Sequence, residues 1–209
     1  MSQPPLDLII AIVIPLAIVL MSLSVHEAAH AWSADRLGDP TARMLGRISL
    51  NPIVHIDLIG TIVLPLISVL TNLPLLGWAK PVPVNTSRLK HPRRDFALIA
   101  AAGPASNILL AAIGGVILLA LSPREGVDAY DIVRRAATIN IFLAVFNLVP
   151  VPPLDGGNVL AGLLPGSAAA VFETIRPFGI VIIYALIFTG LLSEILFPAA
   201  DFLARILIP

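Results

Sequence analysis

The chain has 209 residues, of which 57% are hydrophobic and only 12% charged, and its mean hydropathy is +0.95. A soluble domain carries about 25% charged residues, so this composition cannot cover a water-facing surface and points to an integral membrane protein. Lys+Arg and Asp+Glu balance at 13 each and cysteine is absent; no basic field is left to recruit nucleic acid, and disulfides, thiolate zinc ligands and a cysteine nucleophile are excluded.

The first apolar segment, 6–32, lacks the basic flank of a signal peptide. It is long enough to cross ~30 Å of hydrocarbon at about 1.5 Å per residue. Asp35, Arg36 and Asp39 mark its exit into water. A polar stretch follows at 41–57, in which Met44-Leu-Gly-Arg-Ile-Ser-Leu50 reads as a short strand ended by Asn51-Pro52. The next apolar stretch, 58–76, is interrupted by Pro65, Asn72 and Pro74, which argue against a straight helix. In Gly77-Trp-Ala-Lys-Pro-Val-Pro-Val-Asn85 the prolines enforce an extended backbone, so 80–85, like 44–50, reads either as a β element or as a stretch that merely lines or closes a site.

A basic loop with Arg88, Lys90, Arg93 and Arg94 leads into a span at 96–121, then a charged loop at 124–135. An apolar helix at 136–149 breaks at Pro150-Val-Pro-Pro-Leu-Asp-Gly-Gly157. A shorter segment reaches Arg176, a last span covers 178–197, and the tail at 201–209 reads as lying on the membrane surface. The expected fold is an all-α polytopic membrane protein with about four full transmembrane helices, a re-entrant segment and short membrane-associated β elements. It forms one membrane-embedded domain over 1–209, with a core at 6–175 and a C-terminal span and tail at 177–209.

Segment 58–76 decides the topology. If it crosses fully, the two faces carry six and seven Lys/Arg; if it dips in and returns, they carry nine and four. The positive-inside rule favours the re-entrant arrangement with the N-terminus outside.

His26-Glu27-Ala28-Ala29-His30 is the strongest chemical signal. On a helix, positions i and i+4 share a face, so both imidazoles can reach one ion and Glu27 can touch a water on it. Three ionisable groups inside an apolar span are costly and functional by default; the plainer alternative is a structural histidine pair with a salt-bridged glutamate. Zinc needs a further ligand, typically a carboxylate. The intramembrane acids are Asp155, Glu194 and Asp201; of these Asp155, after a proline-broken helix and before Gly156-Gly157, is the one placed to supply it, unless it only caps the following helix. His26 lies about 20 residues into its span and Asp155 about 19 past Ala136. The two helices must therefore run in the same direction, as the re-entrant arrangement provides.

Taken together, His26-Glu-Ala-Ala-His30, Gly103-Pro-Ala-Ser-Asn107 and Asn147-Leu-Val-Pro-Val-Pro-Pro-Leu-Asp155-Gly-Gly157 resemble the site-2 protease family of intramembrane zinc metalloproteases. Asn51-Pro-Ile-Val-His-Ile-Asp57 and the Gly77–Asn85 run are similar to its compact subfamily, without PDZ or CBS domains. The resemblance implies that His26, His30 and Asp155 bind zinc and that Glu27 is the catalytic acid/base. It further implies substrates that are transmembrane helices, and an active site nearer the cytosolic face of a prokaryotic cell membrane.

Within that chemistry Asn147 is a candidate to stabilise the oxyanion or anchor substrate backbone; as an alternative it caps its helix before Pro150. His55 and Asp57 read as a capping pair or a substrate gate, His91 as solvated, and Asn107 as a hydrogen-bonding link between helices. Trp32 and Trp78 suit interfacial anchors. Membrane lipid and substrate helices are the expected partners. Two other classes compete with a protease: a catalytically idle zinc protein that binds or scaffolds transmembrane helices, and a small metal transporter. Intact Glu27 argues against the first, because ligation alone does not require it. The single helical His-Glu-x-x-His with a Gly-Gly loop does not suit the second.

Overall fold

The computed structural model describes residues 4–71, 77–121 and 129–209. Asn72, Pro74 and the Arg124 loop lie outside the described residues. Helix α1 (Pro4–Arg36), α4 (Pro92–Leu118) and α5 (Ala129–Asn147) form the central bundle. Short α2 (Thr41–Met44) and α3 (Leu64–Thr71) fall between the first two. After α5 come α6 (Asp155–Leu163), α7 (Gly166–Ile175), α8 (Gly179–Phe188) and α9 (Leu191–Leu207).

Small side chains let the central helices approach closely. Ala31 and Ala34 of α1, Ala111 of α4 and Ala144 of α5 are fully buried, as expected where helices associate by packing rather than by exclusion of water. Ile141 and Val145 of α5 meet Leu192, Leu196 and Ala200 of α9, which covers the outer side of α5. Cross-links fix the directions. Along α1 from Ser22 to His30, the partners on α4 run backwards from Asn107 to Ile99. On α5, Asn140 faces Asn107 and Ala137 faces Gly114. α1 and α5 therefore run in the same direction, as the shared depth of His26 and Asp155 requires.

Three helical stretches are long and apolar enough to cross a membrane among the described residues: Ile12–Arg36, Pro92–Leu118 and Gly166–Phe188. The expectation of about four full spans is not confirmed. α5 is not one of them; its opening turns carry Asp131, Arg134 and Arg135. The expected span at 178–197 is broken at Gly190, whose φ of 78° lies in the left-handed region that ends helices. The apolar run extends instead towards the N-terminal side, through α7 and α8.

Both expected β elements are absent: no strand occurs among the described residues. The start of the 44–50 run belongs to the turn of α2, closed when Gly46 adopts φ 70° and Arg47 N–H donates to the Ala42 carbonyl. Residues 79–85 carry no regular structure and make isolated contacts rather than a ladder, Lys80 N–H donating to the His55 carbonyl and Asn85 N–H to the Asp39 carboxylate. Pro81 and Pro83 have no N–H to give a ladder.

Segment 58–71 starts as a π-helical turn, Leu58–Val63, and continues as α3. Its entrance is tied to the chain that follows it. Trp78 N–H donates to the Gly60 carbonyl at 3.2 Å, and the Thr61 hydroxyl donates to the Trp78 carbonyl at 2.9 Å. The chain thus leaves this segment beside the point where it entered.

Candidate metal centre

His26, Glu27 and His30 sit mid-bundle on α1, each less than a tenth exposed. Each imidazole is anchored through its Nδ1. His30 Nδ1 donates to the Ile99 carbonyl at 2.7 Å, and a carbonyl only accepts, so in the neutral imidazole the His30 Nε2 lone pair is free. His26 Nδ1 lies 2.6 Å from Asn107 Oδ1. The rings stand edge to face, centroids 4.7 Å apart at 85°. The Asp155 Oδ2 approaches both, 3.0 Å from His26 Nε2 and 3.3 Å from His30 Nε2.

Lone pairs of two imidazoles and a carboxylate therefore converge, their ligand atoms within 4.8 Å of one another. Acceptors facing acceptors repel unless a cation lies between them. The donor set, two neutral imidazole nitrogens and one carboxylate oxygen, is that of a catalytic zinc site with an open fourth position. The residues fit the ion that the sequence implies.

Asp155 owes its position to the break after α5. It is the first residue of α6, and the residue capping that helix is Leu154, with no side-chain cap. The capping role open to Asp155 is thus not the one it fills; its carboxylate turns to the imidazoles. A side chain at Gly156 would strike the Leu148 and Val149 carbonyls, so this glycine lets α6 fold back tightly against the turn. Arg93 of α4 secures the other end of α6 through the Ala161 and Leu164 carbonyls.

Asn147 closes α5 with its amide donating to the Leu143 carbonyl at 2.9 Å. No hydrogen bond joins it to the His–His–Asp cluster among the described residues. Asp57 caps the turn that follows it, accepting from the N–H groups of Ile59 and Gly60. His55 is buried, with Nε2 donating to the Ser49 carbonyl and Nδ1 3.4 Å from Arg47 Nη2. His91 is exposed at the start of α4.

Sequence reasoning missed Arg47, Asn140 and Ser22. Arg47 is 5% exposed, close enough to Glu27 to feel its charge, and donates to the Lys80 and Pro81 carbonyls. Burial pushes its guanidinium below the ordinary value, and Glu27 acts in the opposite direction. Asn140 is buried in α5 and bonds Asn107. An asparagine in the middle of an apolar helical stretch was its one visible signal.

Comparison with known proteins places this geometry in context. Residues 123–190, which include Asp155, match the model of peptidase family M50. YwhC of Bacillus subtilis strain 168, named as a candidate zinc metalloprotease, is 36% identical over 207 residues, covering 93% of this chain and 87% of that protein. Rip2 of Mycolicibacterium smegmatis, named likewise, is 29% identical over 91% of this chain and 72% of its own. MJ0611 of Methanocaldococcus jannaschii reaches 44% identity over a shorter stretch of 62 residues, 30% of this chain and 31% of its own. No solved structure matches significantly.

Proposed function

The chain belongs to peptidase family M50, and we propose that it is an intramembrane zinc metalloprotease hydrolysing peptide bonds within or near transmembrane helices. The observation that carries the reading is the convergence of His26, His30 and Asp155 beside Glu27, inside a bundle of apolar helices. His26 and His30 through Nε2 and Asp155 through Oδ2 would hold the ion. Bound there, zinc would make a water acidic near neutral pH and polarise the scissile carbonyl. Glu27 takes the proton of the attacking water on a carboxylate oxygen and returns it to the leaving nitrogen. Arg47 keeps a positive charge near that carboxylate. Asn147 remains a candidate for the substrate backbone, with its amide oxygen unused by the bond to Leu143.

A substrate helix hides its amides in its own hydrogen bonds and must unwind to be cut. The proline-rich run at 79–85, which belongs to no strand and is held at its ends by His55, Arg47 and Asp39, is where an unwound substrate could lie. The reading includes an N-terminus outside and a centre nearer the cytosolic face of the membrane. Eight basic residues from Arg36 to Arg94 against three from Arg124 to Arg135 support that orientation if 58–76 is re-entrant.

The test is cleavage of candidate single-span membrane proteins in matched membranes containing the wild type or Glu27→Gln, read by comparative proteomics. Proteins cut only by the wild type support the protease. Equal profiles from two zinc-loaded proteins would instead favour a helix-binding zinc protein without turnover.

A further inference from the structure

The orientation of His26 towards the ion is decided at a distance from it, by a chain of amides. Asn107 is wholly buried, and Asn140 and Ser22 are 4% exposed, so their polar groups are shielded from bulk water. The Asn140 amide lies 2.8 Å from the Ala136 carbonyl and 2.9 Å from Ser22 Oγ. A backbone carbonyl only accepts, so the Asn140 group facing it is the NH2. Its Oδ1 then points to Asn107 at 2.7 Å and must receive an N–H. That assigns the Asn107 NH2 to Asn140, a choice the Ser22 carbonyl at 3.5 Å also favours. Asn107 is left with Oδ1 towards His26 Nδ1 at 2.6 Å, and Oδ1 can only accept. His26 must carry a proton on Nδ1, and as a neutral imidazole it then presents a bare Nε2 to the centre.

We propose that Asn140 is a positioning residue for the metal. It fixes the Asn107 amide, which in turn fixes His26 as the Nδ1–H tautomer able to ligate through Nε2. The inference deepens the metalloprotease reading and rests on it for the identity of the ion. His30 needs no such relay, because it bonds a carbonyl directly. The asymmetry is chemical: an asparagine offers either face to an imidazole, and something must choose. Without Asn140 the Asn107 amide can rotate and donate to Nδ1, leaving the proton on Nε2, where it blocks ligation.

The experiment measures zinc affinity by chelator competition for Asn140→Leu in two backgrounds, wild type and Asn107→Asp. A carboxylate at position 107 only accepts, so it imposes the Nδ1–H tautomer unaided. Asn140→Leu should cost about ten-fold in zinc affinity in the wild-type background, at the lower end of outer-shell effects. It should cost nothing further beside Asn107→Asp. Equal losses in both backgrounds would mean that Asn140 acts by packing alone and would overturn the proposal. A second readout needs neither metal nor variant. Nitrogen NMR of 15N-histidine-labelled, metal-free wild type should show His26 protonated on Nδ1. A proton on Nε2 would sink the relay even in a protein that binds zinc, whereas Nδ1–H in a protein that binds none would leave the relay standing and refute the metal reading.

Discussion

Gly103 of α4 lies against His26 so closely that a β-carbon there would overlap the Nε2 atoms of His26 and His30 together. The helix opposite the His-Glu-x-x-His turn is thus shaved to bare backbone where the ligand atoms project. Gly103→Ala should push the imidazoles off the positions that Ile99 and Asn107 give them. Overpacking of a tight interior costs about 1–3 kcal/mol; here the loss should appear mainly as zinc affinity. Metal content after purification checks it, and a fully loaded Gly103→Ala protein would show that the contact is softer than the backbone implies.

Glu27→Gln should separate binding from turnover. Glu27 does not belong to the three-residue ligand cluster, so zinc stoichiometry should stay at the wild-type value. Hydrolysis should fall by about 10²–10⁴-fold, the usual contribution of a general acid/base. Retained cleavage in this variant refutes the assigned role.

The clustering of His26, His30 and Asp155 was legible because each member is costly where it sits. Histidines four apart in an apolar span, and an aspartate after a proline break at matching depth, have few other reasons to exist. The common direction of α1 and α5 followed from that depth alone. What the chain did not announce was long-range partnership. Asn140 pairs with Asn107 across 33 positions and with Ser22 across 118, and nothing local to Asn140 names either. The break at Gly190 was missed because hydropathy averages over one glycine, while backbone geometry does not. Met44–Leu50 alternates like a strand, yet Asp39 claims the chain first by accepting from Thr41 and starting a turn.

Asp39 makes a pH-dependent contribution to that turn. The carboxylate is fully buried, which alone would raise its pKa. The Thr41 hydroxyl and the N–H groups of Asn85 and Thr41, with Arg88 nearby, outweigh burial and hold it below the ordinary value. A depressed carboxylate stabilises the fold above its unfolded pKa of about 3.9, and the contribution is lost as pH falls through the lower folded value. Asp39→Ala should therefore melt below the wild type at pH 7, with the gap narrowing only under about pH 4. A gap independent of pH down to strong acid would show that the hydrogen bonds, not the charge, carry the effect.

Arg47 should matter by its shape as well as its charge. It holds the Lys80 and Pro81 carbonyls while facing His55, a spread of donors that a lysine ammonium cannot reproduce. Hydrogen bonds to charged groups contribute about 1.5–3 kcal/mol. Arg47→Met should lower the melting temperature and expose 79–85 to protease. Arg47→Lys should fall between it and the wild type. If both variants match the wild type in protease sensitivity, the run is held by its prolines rather than by this clasp.

The cysteine-free chain offers a direct test of how segment 58–76 meets the membrane. Among the described residues, the helical stretches Leu58–Val63 and Leu64–Thr71 are shorter than a ~30 Å hydrocarbon core requires at about 1.5 Å per residue. The return contact between Trp78 and Gly60 brings the far end back to the entrance. Ile53 and Lys80, exposed on either side of the segment, should therefore face the same compartment. Single Ile53→Cys and Lys80→Cys variants should react with a membrane-impermeant maleimide from the same side as Arg36→Cys. Labelling of Lys80→Cys from the opposite side would require a full crossing. It would also put α5 in the wrong direction for Asp155 to reach the depth of His26, so the hydrogen bonds at Gly60 and the ligand cluster stand or fall on the same measurement.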